Sequence, residues 1–168
     1  LLTALALTPD AKLRQVSLTQ REYEAADYPG RLKKQTASLE LHADTPLNRL
    51  RNCRLVPFYD EVRAVKTALF LNEWIAGMAL HEIEGAYDIA AGQIRTAADQ
   101  LSWLADAAAA LADAEQLPLE FADGIRSFSD RIRFGVGEEL LPVARAVPGL
   151  ARAVLLRLAA AGLADPQQ

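Results

Sequence analysis

Gly92–Ala112 reads GQIRTAADQLSWLADAAAALA, and its spacing predicts one long helix. At 100° per residue, Ile94, Ala97, Ala98, Leu101, Leu104, Ala105, Ala108 and Leu111 fall on a broad apolar stripe, the face expected to enter a core. Trp103 falls about 150° from the middle of that stripe, on the side of Thr96, Gln100 and Ala107 and flanked by Asp99 and Asp106. A large aromatic on the polar side of a helix has two explanations. Either a neighbouring helix covers it, or it is a platform on which an unpaired base stacks. In the second case Arg95, about two turns earlier, is placed to meet a phosphate or to stack on a base.

The rest of the chain supports a helical setting for this stretch. With 168 residues, 51% of them hydrophobic, it can bury a sizeable core. Alanine and leucine abound, β-branched residues are scattered, and no run of strand-like alternation stands out, so the expected fold is all-α. The lone cysteine, Cys53, cannot form an internal disulfide, and no signal peptide or bilayer-length apolar run occurs. A cytoplasmic location is expected. The net charge of -4 is unevenly spread. Residues 1–54 hold nine Lys/Arg against six Asp/Glu, residues 55–124 three against twelve, and residues 125–168 six against four. An acidic middle argues against coating duplex DNA through bulk charge, which needs a continuous basic face.

Upstream of the long helix, Leu1–Leu7 reads as the tail of a helix ending at Thr8-Pro9-Asp10, as in a fragment of a longer protein. Thr19–Asp27 is a short helix with Thr19 as its N-cap and Glu22 completing a capping box, broken by Tyr28-Pro29-Gly30. Arg31–Leu41, with Arg31, Lys33 and Lys34, reads as a solvated helix. Thr45-Pro46 starts another, carrying Arg49, Arg51 and then Arg54. Pro57–Gly77 is a long helix with Val62, Val65, Leu69, Ile75 and Trp74 as core. Leu80–Ile94 gives a short helix, a break around Gly85 and Asp88, and the start of the Trp103 helix. Leu80, Ile83, Tyr87 and Ile89 would form the small core of a helix-turn-helix or winged-helix-like unit. Only Gln93 and Arg95 are available there to read base edges, which makes sequence-specific duplex recognition a poor fit.

Downstream, Leu119–Phe134 places Phe121, Ile125, Phe128 and Ile132 on one face. Glu138–Ala146 and Ala151–Ala161 flank Val147-Pro148-Gly149-Leu150, either a plain helical hairpin or a helix-hairpin-helix whose glycine turn faces a phosphate. The expected division is a helical bundle over 1–134 and the hairpin segment over 135–168. No nucleotide-cradling G-x-x-x-x-G-K-[ST] motif occurs, His42 and His81 lack metal-ligand spacing, and Cys53 and the serines form no nucleophile motif. No catalytic constellation is visible.

Four stretches carry a family resemblance: LALTPDAKL at Leu5–Leu13, VKTALFLNEWI at Val65–Ile75, HEIEGAYDIAAGQIRTAADQLSWLADAAAALA at His81–Ala112, and RIRFGVGEELLPVARAVPGLARAVLLRLAAAGL at Arg131–Leu163. In this order and spacing, the chain resembles the C-terminal region of superfamily 2 DNA helicases that work at stalled forks, namely the archaeal fork-repair helicases and the helicase half of DNA polymerase theta. The resemblance implies an accessory bundle packed on two ATPase domains, with ATP and magnesium bound by those domains and no cofactor here. It also implies single-stranded or forked DNA as partner, touched by the long "ratchet" helix. Trp103 matches the base-stacking tryptophan of that helix. Thr96 stands where the family often has arginine, with Arg95 on an adjacent face and Gln100 one turn on. Gly149-Leu150-Ala151-Arg152 stands where the family reads G-I-G-R. The missing second glycine hinders close phosphate approach and leaves Arg152 and Arg157 to act through charge. The rival reading is a protein-interaction or autoinhibitory module that docks on motor domains or a repair partner.

Overall fold

The computed structural model describes residues 1–12, 16–37, 40, 48, 51 and 59–162. The helix expected from Thr45-Pro46, with Arg49 and Arg54, lies outside the described residues, as do His42 and Cys53. The described residues are helical wherever they are regular, and none forms a strand. The chain divides into two compact units, Leu1–Phe70 and Leu71–Gln168.

The first unit contains α1 (Leu2–Ala6), α2 (Pro9–Lys12), α3 (Gln20–Ala25), α4 (Tyr28–Gln35) and most of α5 (Tyr59–Ile75). The capping box at Thr19 forms: its hydroxyl accepts from the Glu22 N–H at 3.1 Å, and Glu22 Oε2 accepts from the Thr19 N–H at 3.2 Å. The expected break at Tyr28-Pro29-Gly30 is instead the start of α4. Asp27 turns left-handed (φ 43°) and caps the helix by accepting from the Gly30 N–H, and proline is tolerated in a first turn because no intrahelical N–H is required there. Side chains one and two turns apart on α5 satisfy the carbonyls of the extended stretch Val16–Leu18. Arg63 donates to Val16 O at 2.8 Å, Lys66 to Ser17 O at 3.0 Å, and the Tyr59 hydroxyl to Leu18 O. Lys66 is fully buried and is neutralised by Glu22 at 2.6 Å, whose carboxylate also accepts from the Tyr28 hydroxyl at 2.5 Å. Burial pushes the Glu22 pKa up, but the bonds from Lys66, Tyr28 and Thr19 outweigh it and hold the pKa below the ordinary value of 4.5.

The second unit takes the last turn of α5 and adds α6 (Leu80–Tyr87), α7 (Ala91–Ala114), α8 (Leu119–Phe134), a 3₁₀ turn (Glu138–Leu140), α9 (Leu141–Ala146) and α10 (Arg152–Ala160). The α6–α7 pair has helix-turn-helix connectivity with Ile83, Tyr87 and Ile89 buried. Its break lies at Asp88, which adopts the left-handed conformation (φ 47°), and not at Gly85, which stays inside α6. Aspartate tolerates that region and terminates a helix without glycine.

The α7–α8 contact corrects two expected stripes. Ile94, Ala97, Ala98, Leu101, Leu104 and Ala105 are buried as expected, but Ala108 is only half-buried and Leu111 is 65% exposed, and Ala109 and Ala112 take their place in the interface. On α8 the buried positions are Ala122, Ile125, Ser129 and Ile132, while Phe121 is exposed and Phe128 only half-buried. Small residues win because the helices approach closely. The Ser129 hydroxyl donates to Ser102 O at 2.9 Å, a bond that large side chains at the seam would hold apart. Trp74 is core, as its spacing predicts: its indole N–H donates to Ile132 O at 2.9 Å. Gly135 (φ +67°) ends α8 against the flat of that indole, and a Cβ there would lie 2.2 Å from it. A small core of Val136, Leu140, Leu141, Val143, Ala144 and Leu155 joins α9 and α10 into a helical hairpin.

Candidate nucleic-acid interface

The outward face of α7 presents Trp103 with 60% of its surface exposed. The helix that carries it is long and capped. Twenty-four residues without proline run unbroken from Ala91 to Ala114. At the start, the Ala91 N–H donates to Glu84 Oε1 at 2.8 Å, and the Ala90 N–H to Gln93 Oε1 at 2.9 Å. Its inner face is buried through Ile94, Leu101, Leu104, Ser102 and a row of alanines packed close to α8. The indole therefore stands on a continuous 24-residue helix, with much of its ring open to solvent.

Of the residues grouped with it by sequence, Arg95 and Thr96 are exposed and Gln100 is half-buried. Arg95 has no ion-pair partner among the described residues. The Thr96 hydroxyl donates back to Gly92 O at 2.9 Å, which leaves its oxygen as an acceptor facing solvent. Arg95, Thr96, Gln100 and Trp103 thus occupy successive turns of one helix, with the cation at one end and the ring at the other.

The second group sits on the α9–α10 hairpin. Gly149 takes the left-handed conformation its turn requires (φ +84°) and is exposed, with open space where a Cβ would project. Arg157 is exposed. Arg152 points inward. Its Nε donates to Gly135 O at 2.6 Å, Nη2 donates to Trp74 O at 2.7 Å and Met78 O at 2.8 Å, and the guanidinium lies 4.0 Å from the centre of the Trp74 ring. Burial pulls its pKa down to about 10, so it remains charged at neutral pH. These bonds tie the hairpin to the end of α5 and the end of α8.

Two arginines that sequence reading did not single out are linked through aspartates to α7. Arg133 on α8 donates to Asp106 at 2.6 Å and lies 3.7 Å from Asp130. Arg145 on α9 donates to the other oxygen of Asp130 through Nε at 2.8 Å and Nη2 at 2.6 Å. The signal in the sequence is a seven-residue spacing. Asp106 and Asp113 on α7 face Arg133 and Arg126 on the antiparallel α8, and residues seven apart return to the same side of a helix.

These features define a class: an all-α domain whose long helix holds one aromatic ring out to solvent. Among the described residues no three His, Cys, Asp or Glu side chains are grouped to hold a metal ion, and no helix is long and apolar enough to cross a membrane. The family matched over residues 1–135 is "archaeal helicase, domain 4", and the chain belongs to it. A relative, the ATP-dependent DNA helicase Hel308 of Caldivirga maquilingensis, is 28% identical over 105 residues, which cover 62% of this chain and 14% of that protein. The chain therefore matches about one seventh of the relative's length. The resemblance read from the four sequence stretches is confirmed as that of a helicase C-terminal domain.

Proposed function

We propose that this chain is the strand-gripping accessory module of an ATP-dependent DNA helicase, in which α7 touches the translocated single strand. The observation that carries this reading is the exposure of Trp103 on a continuous helix whose inner face is buried. In this mechanism a base stacks on Trp103 while Arg95 meets a neighbouring phosphate and Gln100 or Thr96 bonds the sugar or base. Motor domains outside this sequence, which would bind ATP and magnesium, close and reopen and move the strand past the helix. The stacked base resists slipping back. Stacking contributes about 1–3 kcal/mol per base and ignores base identity, so the grip biases stepping without imposing sequence preference. The hairpin over 135–168 contributes Gly149 and Arg157 as secondary contacts, with Arg152 holding the hairpin in place. A division of the polypeptide near residue 134 is part of this proposal, supported by the end of the family match at residue 135.

The test is Trp103→Ala in the complete helicase polypeptide. Loss of DNA-stimulated ATPase activity and unwinding, with the variant still folded, is the expected result. Unchanged unwinding would contradict the mechanism. A second reading, docking on motor domains or a repair partner, is favoured by a different observation: Leu117, Leu119 and Phe121 are exposed at the α7–α8 turn among Glu115, Glu120 and Asp123. That reading predicts that substitutions at this turn, and not at Trp103, uncouple the module.

A further inference from the structure

Resting on the strand-gripping reading, we propose that Arg133 and Arg145 form a phosphate track beside Trp103, over which the backbone of a single strand passes while one base is stacked on the ring. At 100° per residue, Asp106 lies about 60° around α7 from Trp103 and one turn on, so the guanidinium it holds sits at the margin of the stacking face. Asp99, Asp106 and Asp113 share that margin with Arg95. The polar chain runs outward from there: Asp106 holds Arg133, Arg133 neighbours Asp130, and Asp130 holds Arg145. It crosses from α7 over α8 to α9 without interruption, and both arginine side chains remain about half exposed, at 47% and 51%.

An ion pair this exposed adds little to stability, so the ladder is a weak brace. What it does fix is orientation. Asp130 occupies one edge of the Arg145 guanidinium and leaves its Nη1 free to point outward, while Arg133 is held between Asp106 through Nη2 and Asp130 at 3.7 Å from Nη1. Fixing the two side chains in this way lowers the cost of immobilising them when a phosphate arrives. The carboxylates also temper affinity, since Asp106 and Asp130 together balance the charges of Arg133 and Arg145. A strand that must be gripped and released at every step calls for that compromise. With Arg95 on the same margin of α7, the track runs from Arg95 past Asp106 to Arg133 and on through Asp130 to Arg145, on a unit whose charge is otherwise acidic.

The track is tested by titrating a fluorescently labelled oligothymidylate with the chain across about 50 to 200 mM salt, because each phosphate contact on a single strand adds about 0.7 to the slope of log affinity against log salt. The variants are Arg133→Gln/Arg145→Gln, Asp106→Asn/Asp130→Asn and Trp103→Ala, each confirmed as folded by circular dichroism. The track predicts a slope smaller by about 1.4 in the arginine pair and tighter binding in the asparagine pair. A purely structural ladder would weaken both pairs alike in thermal melts and leave the slope untouched. If the arginine pair keeps the wild-type slope while Trp103→Ala weakens binding, the track is wrong and the stacking reading stands. If Trp103→Ala binds like wild type, or the wild-type chain binds no strand at low salt, the stacking reading falls and the track with it.

Discussion

Two arginines five residues apart in sequence, Arg152 and Arg157, behave as different kinds of residue. Arg152 is anchored by three carbonyls and the face of Trp74, whereas the side chain of Arg157 stands in solvent. Sequence reading treats them alike, as phosphate-facing charges after a glycine turn, because the acceptors that draw Arg152 inward come from α5, α8 and the Met78 turn, far away in the chain. Truncating Arg152 leaves buried carbonyls without donors, and hydrogen bonds to charged groups contribute about 1.5–3 kcal/mol each. Arg152→Ala is expected to lower unfolding free energy by roughly 3 kcal/mol, and Arg157→Ala by less than about 0.5 kcal/mol, as read from urea denaturation. Equal effects would remove the distinction. Trp103 and Trp74 make the complementary pair: helical spacing alone separated the exposed ring from the core one, since each lies on a helix whose apolar face is legible.

At the scale of elements, boundaries were legible where caps and periodicity agree, as in the Thr19 box, the Leu119–Phe134 helix and the glycine after it. They were misplaced where a non-glycine residue took the left-handed conformation. Asp27 caps a helix that begins where Tyr28-Pro29-Gly30 suggested a break, and of the break expected around Gly85 and Asp88 it is Asp88 that ends the helix. The stripe on α7 was read by hydrophobicity, which favours Leu111, but the interface is set by closeness of approach, which favours Ala109, Ala112 and Ser129. Ser129→Val is therefore expected to destabilise by about 1–3 kcal/mol through overpacking, while Leu111→Ser changes stability by less than about 0.5 kcal/mol. Thermal melts of the two variants check this, and a larger loss from Leu111→Ser would restore the hydrophobic stripe. In the first unit, Glu22 binds Lys66 with its pKa depressed. A carboxylate whose folded pKa is lowered stabilises above its unfolded value of 4.5, and the contribution is lost as pH falls through the folded value. Glu22→Gln should lower stability at neutral pH by about 3 kcal/mol, because buried Lys66 loses its charge partner. It should also flatten the acid-side decline in a series of melts below about pH 5. A variant as stable as wild type at neutral pH, with the same acid profile, would contradict the pairing.

For the whole molecule, family and fold class were legible from four stretches and composition. The arginine ladder was not, because ion pairs between helices depend on which faces meet, and that follows from packing. The acidic balance around α7 sets the functional expectation. A module with net charge -4 does not hold DNA through its overall field, so the grip proposed for it is local, salt-sensitive and centred on one ring. The measurement that tests this most directly is a low-salt titration of the chain with labelled single-stranded and duplex oligonucleotides, with Trp103→Ala alongside. The account predicts weak binding that favours the single strand and falls roughly 5- to 150-fold in the variant, the equivalent of about 1–3 kcal/mol of stacking. Binding that is equal for the two proteins, or that prefers the duplex, would contradict it.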